Sequence, residues 1–277
     1  MIASDPTAFD AFASDYDDHF TRSRLGRLLR TRVWAEFDNY FSNGQRLLEL
    51  ACGTGEDAVR LARRGLCVTA TDGSAEMIRI ARAKAEAAGV SDQVEALQLS
   101  MQQIIEDKAV RNSNCDRQQR RDQSVKFDGV YANFGGLNTI FDRRALARTL
   151  SELVKPQGIA VFVLMGPVCP WELVWYLGHG QPATAFRRFR GSAMAEVGAS
   201  RVPIWYPSAK GLAAEFAPWF QHCRTASLGL WLPPSYLDHF VDRWPRLFSQ
   251  LDRFERTWAD LTGSWGDHYI MIFQRRG

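Results

Sequence analysis

The sequence predicts an α/β fold built on a parallel β-sheet with helices on both faces. Three features carry that expectation. Apolar runs alternate with amphipathic stretches from Arg46 to Met165, as βαβ units require. The last of these runs, Ile159 to Met165, is uninterrupted and apolar, the pattern of a strand covered on both faces. Glycines stand where the chain must turn, at Gly53, Gly55, Gly65 and Gly89. At 277 residues the chain can bury the core of one such domain with an added lid.

Composition narrows the class further. Hydrophobic and charged residues, 46% and 23%, are ordinary for a globular protein, and a net charge of +3 selects neither nucleic acid nor an acidic membrane. The five cysteines, Cys52, Cys67, Cys115, Cys169 and Cys223, form no CxxC pair, so a disulfide framework and a metal cluster are not expected. The N-terminus is acidic where a secretory signal is basic, and no apolar run reaches membrane-spanning length. A cytoplasmic protein with reduced thiols is the expectation, and the oligomeric state is left open.

In chain order, Leu25, Leu28, Leu29, Val33, Trp34 and Phe37 recur at helical spacing, so Thr21 to Tyr40 reads as an amphipathic helix stopped by Asn43-Gly44. Arg46–Leu50 is the first strand, Glu56–Arg64 the helix after it with Gly65 at C′, and Cys67–Thr71 the second strand. Ser74–Ala88 is a helix ended by Gly89, and Val94–Leu99 a third strand. The polar stretch Glu106–Lys126 has no periodicity. Its RQQRR cluster lacks aromatic residues for base stacking, so a solvated loop is expected and no nucleic-acid partner.

Phe127–Ala132 resumes as a strand, Arg143–Val154 as a helix, Lys155–Gly158 as a turn and Ile159–Met165 as the fifth strand. After Pro167 the texture becomes rich in Trp, Phe and Arg, and Pro170–Tyr206 reads as an inserted lid. Ser208–Phe220 is then a helix, Thr225–Leu230 a strand, Ser235–Leu261 one long helix and Tyr269–Phe273 the last strand. These elements divide the chain into a helical cap (1–44), a ligand-binding core (45–166), a lid and acceptor region (167–206) and a C-terminal part of the core (207–277).

The stretch LLELACGTGEDAVRLARRGLCVTATD, from Leu47 to Asp72, raises the functional question. Gly53 and Gly55 mark a tight strand-to-helix turn that lets a ligand approach the backbone, and Gly53-x-Gly55-x-x-Ala58 with Asp72 also satisfies a dinucleotide fingerprint. Glu49 separates the candidates. A carboxylate just before the loop repels a pyrophosphate at the helix N-terminus but suits a ligand with an ammonium and a sulfonium.

ELACGTGED followed by TATDGSAEMIRIAR resembles motifs I and II of class I S-adenosylmethionine-dependent methyltransferases. FDGVYANFGGLNTI and LVKPQGIAVFVLMG are similar to the family's fourth-strand motif and its helix, turn and fifth strand, so the resemblance covers Arg46 to Gly166. It implies a Rossmann-like class I methyltransferase fold: a central, mostly parallel seven-stranded sheet with helices on both faces, plus an N-terminal helical cap and an inserted lid. S-adenosyl-L-methionine is then the cofactor and S-adenosyl-L-homocysteine the product.

By the same resemblance Glu49, Ala51, Gly53 and Gly55 line the methionine end. Ala51 stands where many members carry a glycine. Asp72, followed by Gly73, accepts from both ribose hydroxyls and Met77 packs near the adenine. Ser100, Met101 and Gln102 follow the third strand beside the adenine, where members often carry an acidic residue. Asn133 and Phe134 sit beside the sulfonium, and Tyr16 belongs to an N-terminal segment that folds over the cofactor.

The acceptor side is read more loosely. Gly136 and Asn138 follow the fourth strand at its carboxyl end, where open α/β sheets bind ligands, and Trp175, Trp205 and Tyr206 are candidate pocket walls. His19, His179 and Tyr206 are candidate proton acceptors, and His222, His239 and His268 have no recognisable partner. The expected activity is methyl transfer to an oxygen or nitrogen of a small aromatic or apolar metabolite, with no membrane partner. The alternatives are an NAD(P)-dependent oxidoreductase, a methyltransferase acting on a macromolecule, and a cofactor-binding protein without turnover.

Overall fold

The computed structural model describes residues 6–107, 126–197 and 200–277. The chain opens on an irregular helical run made of Pro6–Phe12, α1 (Ala13–Tyr16) and Asp17–Thr21. Ser23 then caps α2 (Arg24–Tyr40) by accepting from the Gly26 amide, 2.9 Å away. Alternating units follow: β1 (Arg46–Leu50), α3 (Glu56–Arg63), β2 (Cys67–Asp72), α4 (Ala75–Ala87), β3 (Val94–Gln98), α5 (Met101–Asp107), β4 (Phe127–Ala132), α6 (Arg143–Leu153) and β5 (Val154–Met165). The span between β5 and α9 (Ala209–Phe216) holds α7 (Pro170–Gly178), α8 (Pro182–Ala185) and a hairpin of β6 (Ser192–Val197) and β7 (Ser200–Trp205). The chain closes through β8 (Phe220–Leu228), α10 (His239–Arg243), α11 (Pro245–Thr262) and β9 (His268–Arg275).

Seven strands form one sheet in the order β3-β2-β1-β4-β5-β9-β8, parallel from β3 through β5. β9 is antiparallel to both of its neighbours, so its first residue, His268, pairs with Met165, the last of β5. That reversal brings the start of β9 to the carboxyl edge where β1, β4 and β5 end. On one face α2, α3, α4 and α11 supply residues such as Val33, Phe37, Ile78 and Phe248 against Leu47, Val68, Tyr131 and Ile270. On the other, Leu146, Leu150 and Phe216 of α6 and α9 cover Leu48, Val130, Phe162 and Tyr269. Among the described residues no helix is long and apolar enough to cross a membrane.

Several expectations change. The single helix over 235–261 is three pieces, Ser235–Leu237, α10 and α11, because Pro245 has no N–H to donate and disfavours helical backbone at Trp244, which sits at φ −128°. The turn at 155–158 lies inside β5, where Gln157 takes φ +65° and the pairing with β4 shifts between Phe127 and Gly129. The strand at 225–230 spans Phe220–Leu228, and helix α5 takes residues 101–105, assigned no element, together with Glu106 and Asp107 of the expected loop. Of the expected polar loop, residues 108–125, including Cys115, lie outside the described residues.

Candidate functional site

The loop from β1 to α3 runs through three left-handed residues, Ala51 (φ +50°), Gly53 (+54°) and Gly55 (+76°). A Cβ on Gly55 would meet the Cβ of Ala81 at 2.7 Å, so glycine there lets the loop sit on α4. Ala51 keeps the left-handed backbone at a cost of about 1–2 kcal/mol. Its methyl group would stand 2.8 Å from a Cβ on Gly136, which ties the β1 loop to the turn after β4.

Asp72 at the end of β2 holds this loop. Its Oδ2 accepts from the Gly53 amide and its Oδ1 from the Ser74 amide, each at 2.9 Å. Desolvation raises the Asp72 carboxyl above its ordinary value despite both bonds. Tyr16 Cε1 and Met77 Sδ approach the Cβ position of Gly53 to 3.9 and 4.0 Å, so these three predicted residues converge. Desolvation also pushes the Tyr16 hydroxyl up to about 12. Gly73 follows Asp72 and its carbonyl accepts from Gln98.

The N-terminal segment is fastened by acids that the sequence reading did not single out. Asp10 accepts from the Ser74 hydroxyl. Asp17 accepts from Thr54 Oγ1 at 2.7 Å and pairs with Lys84 at 2.7 Å. Burial opposes ionisation of Asp17, but the Lys84 and Thr54 bonds outweigh it and lower its pKa. The only sequence signal was the acidic run DAFASDYDD.

At the ends of β1 and β4 lies a group of enclosed polar atoms. Glu49 is 2% exposed, and its Oε2, the Tyr131 hydroxyl and Asn133 Oδ1 are all sealed without a hydrogen-bond partner. Asp57 below them accepts from Trp34 Nε1 (2.7 Å) and Asn133 Nδ2 (2.8 Å) and pairs with Arg30 (2.7 Å). Burial first, then the Asp57 charge, push the Glu49 carboxyl well above its ordinary value. Burial works the same way on Asp57, but the Arg30 charge and the Asn133 bond overcome it and hold Asp57 low. Unsatisfied acceptors at Glu49 and Asn133 suit a ligand that brings N–H donors and positive charge, as the ammonium end of S-adenosylmethionine does.

Other predicted residues have different work. Ser100 starts α5, its hydroxyl accepting from Gln103 N. Met101 is buried in the core beneath the sheet. Gln102 is exposed and donates to Glu106 at 2.7 Å, so its side chain is engaged along α5. Asn138 was expected to orient an acceptor. It is fully buried, with Nδ2 donating to Met165 O (3.1 Å) and Trp205 O (2.6 Å) and Oδ1 accepting from Met165 N (2.9 Å), so it ties the hairpin to the end of β5.

Beyond β4 the chain turns through Phe134 (φ +48°) and Gly135 (+91°). The Phe134 ring lies edge-on to Phe20 at 4.9 Å and to His268 at 5.7 Å, with the Arg30 guanidinium 4.9 Å from its centroid. Trp205 packs on Phe141, and Trp175 on Phe240 and His179. Tyr206 is buried with Ala8, Val202 and Ile204, where the N-terminal segment meets the hairpin.

The candidate bases fare poorly. Burial raises the Tyr206 hydroxyl against the pull of Arg188, which keeps it protonated. His19 and His179 are exposed, and each ring engages a carbonyl of its own helix, Asp15 O at 2.8 Å and Trp175 O at 2.7 Å. His268, passed over in the sequence, is buried with its Nδ1 3.1 Å from Asp267 Oδ2. Asp267 and Glu172 share Arg188: Asp267 Oδ1 and Glu172 Oε2 lie 2.6 and 2.7 Å from it. Burial opposes the Asp267 charge, but His268 and Arg188 overcome that and drive its pKa far down.

Residues 47–158 match the model of a methyltransferase domain. A Geobacillus sp. (strain WCH70) protein described as a methyltransferase is 34% identical over 43% of this chain and 41% of its own length. The tRNA 5-carboxymethoxyuridine methyltransferase of Escherichia coli (strain K12) is 24% identical over 62% of this chain and 57% of its own. The chain thus spans about half the length of the curated relatives it matches. In fold it is similar to the CcbJ methyltransferase from Streptomyces caelestis, with TM-score 0.58 and 13% identity over 99% of this chain and 100% of that one. A dinucleotide oxidoreductase is therefore displaced as a reading of the glycine turn. Sheet order and matched segment agree: residues 47–158 are similar to a methyltransferase domain, set in a fold shared with solved methyltransferase structures.

Proposed function

We propose that this protein transfers a methyl group from S-adenosylmethionine to an oxygen or nitrogen of a small, largely apolar, aromatic metabolite. Glu49, Ala51, Gly53 and Gly55 would hold the methionine end, Asp72 the ribose, Met77 the surroundings of the adenine, and Asn133 with Phe134 the sulfonium side. The cofactor supplies an electrophilic methyl group on a good leaving group, so the protein's task is to hold the nucleophile in line with it. The observation that carries the small-molecule reading is the aromatic cover over the carboxyl edge: Tyr16 and Phe20 from the N-terminal segment close on Phe134, and the hairpin closes on the N-terminus through Ala8, Tyr206 and Ile204. Residues 167–206 would act as the lid of that pocket, with Gly136 leaving room for the acceptor and Trp205 and Trp175 at its rim.

The second reading is a macromolecular acceptor, favoured by the Escherichia coli relative that acts on tRNA. Incubation with methyl-labelled donor against a metabolite panel and a mixed RNA, DNA and protein panel separates the two. Label in metabolites is the expected outcome. Label confined to macromolecules ends the small-molecule reading, and a steep fall of that labelling with salt points to nucleic acid.

A further inference from the structure

We propose that His268 is the catalytic base of this site, receiving the acceptor's proton on Nε2, with Asp267 as the positioning residue behind it. The inference rests on the methyltransferase reading above and adds the residue that moves the proton.

Topology brings the ring to the right edge. Because β9 runs antiparallel, its first residue sits beside the end of β5. Glu49 pairs with Tyr131, Tyr131 with Val161, and Met165 with His268. Val161 and Met165 are an even number of residues apart on β5, so Glu49, Tyr131 and His268 share one face of the sheet. That is the face with the unsatisfied acceptors, and His268 meets the Phe134 ring that follows Asn133.

The surroundings prepare the ring for one direction of proton transfer. Nδ1 is sealed from solvent, 3.1 Å from Asp267 Oδ2 but off the line of an aligned hydrogen bond, so the contact works through charge. Nε2 has no partner among the described residues and is not among the sealed atoms. Behind Asp267, Arg188 occupies Oδ1 and is itself fixed by Glu172, Gly166 O and Asp267 O. The charged or titratable groups facing the ring's surroundings are Asp267, Arg188 and Glu172, Cys169 beside Asp267, and Arg30 across Phe134. Asp267 thus stands ready to stabilise an imidazolium.

In the transfer, the acceptor's O–H or N–H bond breaks as its oxygen or nitrogen bonds to the methyl carbon. The carbon–sulfur electron pair goes to sulfur, giving the neutral thioether, and the proton goes to Nε2. Positive charge is lost at sulfur and gained on the ring.

S-adenosylmethionine and S-adenosylhomocysteine differ by that methyl group and charge, which gives a test without an acceptor. Binding of both is first measured by calorimetry, and the histidine rings are then observed by ¹⁵N NMR in each complex. A sulfonium near Nε2 should shift the His268 ring resonances relative to the thioether complex. The rings of His19, His179, His222 and His239 should move alike in both. Asp267→Asn, which removes the charge 3.1 Å from Nδ1, should move the His268 ring resonances in either complex.

His268→Gln should bind S-adenosylhomocysteine as the parent does, yet lose about 100-fold or more in transfer to whichever metabolite the labelled panel identifies. Identical His268 ring resonances in the two complexes, or full transfer by a folded His268→Gln protein, overturn the proposal while leaving the methyltransferase reading intact. Failure of both cofactors to bind overturns that reading and this one with it.

Discussion

Glu49 and Asp267 stand on the same edge of one sheet, both nearly enclosed, and yet their chemistry diverges. Burial, then the Asp57 charge, push the Glu49 carboxyl up against the opposing pull of Tyr131 and Arg30. Asp267 faces Arg188 and His268, so its carboxyl is pulled down. The β1–β4 side is left incomplete, with acceptors for a ligand to satisfy. The β5–β9 side is completed by the protein's own Arg188, which ties Glu172 of α7 to Asp267 just before β9. Buried charge costs stability where it awaits a ligand and lends order where it is paired.

The largest effect should come from breaking the completed side. Arg188→Met leaves Glu172 and Asp267 buried without their cation and should destabilise the protein by about 3–5 kcal/mol in urea melts at neutral pH. The sign with pH follows from Asp267: its folded pKa lies below the ordinary 3.8, so its contribution is present above that value and lost as pH falls through the folded one. The gap between parent and variant should therefore narrow on acidification. A constant gap would mean that the arginine acts by packing alone.

Next in size is the ligand-facing side. Asp72→Ala should weaken S-adenosylhomocysteine by at least tenfold in calorimetry, since each lost charge-assisted bond is worth about 1.5–3 kcal/mol. Far-ultraviolet circular dichroism should stay unchanged even though the Gly53 and Ser74 amides lose their acceptor. Retained affinity would show that Asp72 serves only the loop.

Glu49→Gln should sharpen the contrast by separating stability from binding. The raised pKa of Glu49 means that its ionised form costs stability once pH rises above the ordinary 4.5. The variant without cofactor should thus melt about 2 °C higher at pH 7, for roughly 1 kcal/mol, and the gain should fade toward pH 4. It should bind cofactor more weakly. The smallest effect is expected at Ala51, whose φ of +50° suits glycine: Ala51→Gly should stabilise by about 0.5–1 kcal/mol, measured by thermal melting.

The regular half of the molecule was legible because its signals are local. Ser74 capping α4, Gly65 and Gly89 ending helices, and apolar runs at β1, β2, β4 and β5 each depend on neighbours in sequence. The cofactor loop was legible for the same reason, as Gly53, Gly55, Asp72 and Met77 lie within one βαβ unit. The reading failed where partners are distant. Asn138 is bound to Met165 and Trp205, Asp17 to Thr54 and Lys84, and Arg188 to Glu172 and Asp267. The broken helix at Trp244-Pro245 is a different case, since its cause, the clash of the proline ring with the preceding residue's helical backbone, is local and stands in the sequence itself.

What the sequence determined by itself was the alternation of strands and helices, the glycine turn and the carboxylates around it, because backbone conformation and side-chain periodicity are set over a few residues. Only the tertiary structure decided which acids stay unsatisfied and which are paired, and which of five histidines faces the Phe134 turn. Burial, and with it the cost or value of a charge, depends on what long-range packing brings alongside. β9 shows this most directly: its antiparallel run beside β5 carries His268 to the carboxyl edge, and nothing within Asp267-His268-Tyr269 specifies that neighbour.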